Sequence, residues 1–218
     1  GNLADFQGAT FQDADFESSI MQRDARFSRA IFQGKAGFDY IAVNRFFDFD
    51  QVRLAQDFSI QYPTLGWPYF AETEFNGRVN FEGVQATNEF DFTNASYNFL
   101  GEPFNVELVA VVGAVKFDGF RAPAGLKLEH NHFGNLSISG NEGESFAFIS
   151  LSSTKIDSDL ALENVRTDQF FADGLHLGDT TTLRNVNIPS SLDMSNASNR
   201  FFKMDDQYTW PQTPGSFN

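Results

Sequence analysis

Between Phe27 and Ile60 a large apolar residue returns at Phe27, Phe32, Phe38, Val43, Phe49, Leu54 and Ile60, in alternating strides of five and six residues. A helical face repeats near 3.6 residues and one face of a plain strand every two. Neither period produces these strides. They predict a repeat in which each stride is one short extended piece plus a corner. The same ruler runs through Phe70, Phe75, Phe81, Ala86, Phe92 and Tyr97, and less regularly through Phe171, Leu177, Leu183, Ile188 and Met194. At the N-terminus Phe6, Phe11, Phe16 and Met21 step by fives. Self-similarity of this kind is the mark of a solenoid, so the fold class expected is all-β.

The residue two positions before each large one is often small, as in Ala4/Phe6, Ala9/Phe11, Ala14/Phe16, Ala25/Phe27, Ala30/Phe32 and Ala36/Phe38. Positions i and i−2 of an extended segment share a face. One large and one small side chain would then line each interior wall, because packing at native density in a narrow tube leaves no room for two large ones. The structural core expected from the ruler includes Phe6, Phe11, Phe16, Phe27, Phe32, Phe38, Phe49, Phe75, Phe81 and Phe92. Phenylalanine is the compositional outlier, with 27 of 218 residues.

The segments Ala4-Asp5-Phe6-Gln7-Gly8, Ala9-Thr10-Phe11-Gln12-Asp13 and Ala14-Asp15-Phe16-Glu17-Ser18 resemble the pentapeptide-repeat family, whose unit is Ala-(Asp/Asn)-(Leu/Phe)-X-X. The resemblance is close over 4–60, good over 70–97 and looser over 115–197, where Leu126/Leu128, Leu136/Ile138, Leu160/Leu162 and Leu175/Leu177 form a Leu-x-Leu pattern. It implies a right-handed, four-sided parallel β-helix. The 5/6 alternation departs from strict fives and predicts coils of roughly 20–23 residues, about ten of them stacked at about 4.8 Å.

Residues 1–198 are therefore expected to form the β-helix, with excursions near 61–69 and 98–114, and 199–218 a C-terminal cap or linker carrying Phe201, Phe202 and Trp210. The stretch 61–69 holds two prolines, a glycine and the amphipathic rings Tyr62, Trp67 and Tyr69. Those three are the candidate binding residues, for a sugar or a protein. Gly140 to Ser145 reads as a turn. His130 and His132 point the same way if they lie on a strand, but His176 falls two coils on, too far to complete a metal site. No metal, cofactor or catalytic residue is expected. Because the first residues enter the repeat at once, and solenoid ends call for caps, further coils or domains are expected upstream.

Charge narrows the function. The net charge is −14, with −9 in residues 1–109 and −5 in 110–218. Such a surface does not bind nucleic-acid phosphates, which need Lys and Arg clusters. Cysteine is absent, which excludes disulfides and thiolate chemistry. No apolar run approaches the ~18 residues of a membrane span, and no charged-then-apolar leader opens the chain. No hydrolase, zinc-peptidase or phosphate-loop motif occurs.

A non-enzymatic structural or protein-interaction module follows, an acidic rod that spaces or docks a protein partner or further domains of the same chain. Two alternatives accompany it. Some relatives of the family inhibit DNA gyrase by imitating the duplex. Against that, 14 charges over about 48 Å of stacked coils give half the charge density of DNA. The other is a carbohydrate-binding β-helix using Tyr62, Trp67 and Tyr69.

Overall fold

A computed structural model describes residues 3–141 and 143–204. All regular elements among them are short β-strands, each paired in parallel with its neighbour one coil away. One register line shows the stack. Asp5, Arg26, Asp48, Tyr69, Asp91, Lys116, Ser137, Ala161, Thr182 and Lys203 pair in succession, at intervals of 21, 22, 21, 22, 25, 21, 24, 21 and 21 residues. That is a β-solenoid of about nine turns, close to the ten expected. The surplus in the fifth step is a three-residue insertion within 98–103, and that in the seventh falls in the Gly140–Ser145 turn.

Four walls make each coil. The first carries the line just given. The second carries Thr10, Ile31, Arg53, Glu74 and Ser96 outward. The third carries Asp15, Gly37, Ser59, Asn80, Asn105, Lys127, Ser150, Phe171 and Asp193. The fourth carries Ile20, Ala42, Thr64, Gln85, Ala110, His132, Lys155 and His176. Where a strand runs on across the corner from the fourth wall to the first, as in Ala42–Asp48 and Ala110–Asp118, the two walls merge into one sheet.

The other corners have a chemistry. Most residues with positive φ fall into two columns, Gly125 and Gly143 lying outside them. Gly8, Arg29, Gln51, Glu72, Asn94 and Gly119 turn the chain from the first wall to the second. Ser18, Tyr40, Tyr62, Gly83, Leu108, His130, Ser153, Gly174 and Asn196 turn it from the third to the fourth. Tyr62 precedes Pro63, which has no N–H, and after Leu108 the Val109 N–H donates to Asn131 Oδ1. Most of the others are the third residue of a tight turn such as Phe6–Ala9 or Phe27–Ala30, closed by an N–H donating to the carbonyl three residues back. Type II turns place positive φ at that position. The aspartate of the repeat unit caps the same turn. Asp5, Asp15, Asp48, Asp91 and Asp193 each accept the N–H two residues on, at 2.8 to 3.2 Å. Part of the acidity thus serves the fold.

Inside, the rings stack coil on coil. Phe27, Phe32, Phe38, Phe49, Phe75, Phe81 and Phe92 are fully buried. Phe6, Phe11 and Phe16 stack on Phe27, Phe32 and Phe38 at 4.8 to 5.0 Å, but lie in the first coil and are only partly covered. The run of stacked rings ends at Phe117 and Phe120, and the later coils are filled mainly by aliphatic side chains, with Phe133, Phe146 and Phe170 buried among them. The one-large, one-small wall fails beyond the second coil. Phe47/Phe49 and Phe90/Phe92 are each buried on one wall with centroids 4.7 and 4.6 Å apart. Small residues on other walls, such as Ala86, leave the volume. Interior polar groups are mostly satisfied across coils. Asn131 accepts the Val109 N–H and donates to the Val106 carbonyl, and Thr73 donates to the Phe49 carbonyl.

Several boundaries differ from the sequence expectation. The stretch 61–69 stays in the coil: Thr64–Tyr69 pairs with Ala42–Asp48, with one register shift between Leu65 and Trp67. Gly66 sits at that shift, where a Cβ would come within 2.5 Å of the Arg45 carbonyl oxygen. Of 98–114 only 98–103 departs, since Phe104–Glu107 and Ala110–Asp118 are wall strands. Near Phe171 the ruler slips by one: Phe170 is buried and Phe171 faces outward. Past residue 198 the stack continues, with Phe201–Met204 pairing onto Thr180–Arg184 and Phe201 57% exposed rather than folded over the core. Trp210 lies outside the described residues.

Candidate interaction surface

The fourth wall is flanked by outward-facing aromatic residues in the second and third coils. On its third-wall side, Tyr40 and Tyr62 occupy successive left-handed corners and stack at 5.8 Å with an interplanar angle of 17°. Tyr62 donates its hydroxyl hydrogen to Glu82 at 2.9 Å, which raises the phenol pKa above its usual value. Its ring lies over Gly83, where a Cβ would sit 2.3 Å from a Tyr62 ring carbon. Glycine at that corner makes room for the ring.

On the first-wall side, Phe46 stacks on Trp67 at 5.3 Å and on Tyr69 at 6.1 Å. The Arg45 guanidinium lies 5.6 Å from the Phe46 centroid and 3.7 Å from the buried Asp24 carboxylate. Tyr69 is half-buried, and burial followed by Glu89 and Asp91 raises its pKa. Ala42 and Thr64 lie between the two aromatic pairs, so the floor of the strip is low.

The three sequence candidates therefore flank one wall, with Tyr62 on one side and Trp67 and Tyr69 on the other. Sequence reasoning missed Tyr40 and Phe46. The signal was available in the 22-residue spacing of Tyr40 to Tyr62 and the 21-residue spacing of Phe46 to Trp67, both one coil. Two more apolar side chains are exposed nearby in the same frame. Leu108, 53% exposed, holds φ +57° in the column of Tyr40 and Tyr62, and Val112 is 78% exposed at the far margin of the fourth wall. A branched apolar residue gains nothing locally from a left-handed corner in water.

Other polar clusters are self-contained. His132 contacts Asp157 at 2.8 Å, and Lys155 bridges to Asp157 at 2.6 Å. The hydrogen bond from Lys155, then that from His132, holds the Asp157 carboxyl below its usual range. His176 pairs with Ser198 at 2.7 Å, and His130 with Glu107 at 3.4 Å. No group of three or more His, Asp or Glu forms a metal cage among the described residues. A shallow groove of about 590 Å³ runs along the third wall over Gly37, Ser59, Asn80 and Asn105.

The geometry defines the class, a phenylalanine-rich parallel β-solenoid. Residues 1–41 match the family model described as pentapeptide repeats (9 copies). The stack that these residues open continues through the looser coils to residue 204. No curated protein and no solved structure matches the chain.

Proposed function

We propose that this chain is a non-enzymatic protein-interaction module, an acidic β-helical rod that presents the aromatic-flanked fourth wall to a protein partner. The observation that carries this reading is the in-register exposure of Tyr40, Tyr62 and Leu108 along one corner, opposite Phe46 and Trp67. Aromatic residues outside a core, grouped on one side of a rigid scaffold, are the composition of interface centres.

A protein suits this surface better than a sugar. Sugars stack on open ring faces, whereas here Tyr62 lies between Tyr40 and Gly83 and Trp67 turns a face on Phe46. The duplex-imitating alternative draws on the net charge of −14. Five of those acids are placed by the turns they cap, so their spacing follows the coil and not a helix of phosphates.

The test is site-specific photocrosslinking in the source cell. A benzophenone side chain at position 62 or 108 should form one discrete protein adduct, and one at Asn76 on the second wall should not. Equal crosslinking at all three positions, or none at 62 and 108, would overturn the reading.

A further inference from the structure

The two aromatic pairs are built alike, with one difference. On the first-wall side the order along the stack is carboxylate, guanidinium, ring, ring: Asp24, Arg45, Phe46, Trp67. On the third-wall side the ring pair is Tyr40 and Tyr62. Tyr62 is backed by Gly83, and Tyr40 follows Ser18 in its column, a residue too small to cover a ring. Tyr40 is 54% exposed, and no lysine or arginine among the described residues lies over it. Two acidic residues lie near it, Asp39 beside it in the chain and Glu17 one coil below. Asp39 accepts from the Ser59 hydroxyl and the Gln61 N–H through Oδ1, and exposed Glu17 precedes Ser18.

We propose that the open face of Tyr40, on the side of Ser18 and Glu17, receives an arginine side chain from a basic segment of the partner protein, as Phe46 receives Arg45. The proposal rests on the interaction reading above and names its chemistry. A guanidinium is planar, stacks on an aromatic face and forks to a carboxylate at the same time, which a lysine ammonium does less well. Charge complementarity selects the occupant. The half of the chain that holds this surface carries 16 acids and 7 bases, so a basic segment is drawn in at long range. A second copy of the same acidic chain is repelled.

Titration calorimetry on the full chain tests this with a synthetic peptide alternating arginine and glycine, and a matched peptide carrying citrulline, the neutral near-isostere. The expected result is binding at low ionic strength that is at least about tenfold tighter for arginine than for citrulline. It should weaken at least tenfold in the double variant Tyr40→Asn/Tyr62→Asn and stay unchanged in Asn76→Ala on the second wall. Asparagine accepts a left-handed corner, and an unchanged melting temperature shows that the variant folds. Equal affinity for both peptides overturns the proposal. So does full arginine affinity in the double variant, which would mean diffuse attraction to an acidic rod. A photocrosslink at position 62 together with either of those results would retire the arginine seat while leaving the interaction surface standing.

Discussion

Individual residues divide sharply by which way they point. Phe38 is fully buried and touches Phe16, Phe27, Phe47 and Phe49 at 4.9 to 5.6 Å. Phe38→Ala should cost about 3–5 kcal/mol, and Phe38→Asp should abolish folding by burying an unpaired charge. Gln33 is exposed, and its side-chain oxygen accepts a hydrogen bond from exposed Gln12 one coil away. Gln33→Asp should fall within about 0.5 kcal/mol of wild type in urea unfolding. Comparable losses at both sites would contradict the drawn register. Tyr97 gives a different test. Its ring is fully buried and its hydroxyl has no hydrogen-bond partner. Burial, with a smaller contribution from Glu102, raises its pKa to about 12. The folded state favours the neutral phenol, so this contribution is complete below pH ~10 and is lost as pH rises toward 12, on the order of 2–3 kcal/mol. Tyr97→Phe should leave neutral-pH stability unchanged or raised, since no bond is removed, and should flatten the loss above pH 10. A cost above about 1 kcal/mol at pH 7 would mean the hydroxyl is bonded.

At the scale of the element, the unit is a wall strand and its corner. Two corner columns demand positive φ, and the chain fills them with glycine, asparagine and polar residues, but also with Tyr40, Tyr62 and Leu108. The left-handed region costs a non-glycine residue about 1–2 kcal/mol. Leu108→Gly should therefore stabilise the fold by roughly 0.5–1 kcal/mol after the added flexibility of the unfolded chain is counted. The same change should weaken partner crosslinking. Lowered stability in denaturant titration would instead show that Leu108 packs on its own chain. The corners also explain what sequence could show at this scale. The Phe ruler was legible because stacking repeats the same side chain at the same height. Pro63 and Pro68 read as breakers, yet both are buried, Pro63 at the corner that enters the wall and Pro68 within it. A proline removes only its own N–H, and Trp67 and Tyr69 hold the register beside Pro68. The expected excursion at 61–69 was a wall for that reason.

The whole molecule is a stack in which each coil contacts mainly the next. Nine steps at about 4.8 Å give a rod of about 43 Å. Its earlier coils are filled mainly with rings and its later ones mainly with Leu, Ile and Val. The fold was legible almost throughout because the interior is one-dimensional and periodic. The interaction surface was half legible. Tyr62, Trp67 and Tyr69 stood out as rings in a polar stretch, whereas Tyr40 and Phe46 looked like further members of a Phe-rich core. Only the register separates an outward Phe46 from the inward Phe47 beside it.

That register is the claim on which the rest depends, and the cysteine-free chain allows it to be measured directly. Ser59 and Asn80 are paired on adjacent coils of the third wall, and Asn105 lies one coil further. Cysteines at 59 and 80 should form a disulfide under mild oxidation, since adjacent parallel strands lie about 4.8 Å apart, within the Cα separation that a disulfide spans. Cysteines at 59 and 105 should stay free. A disulfide between 59 and 105, or none between 59 and 80, would contradict the stacked coil and the alignment of Tyr40 with Tyr62 that follows from it.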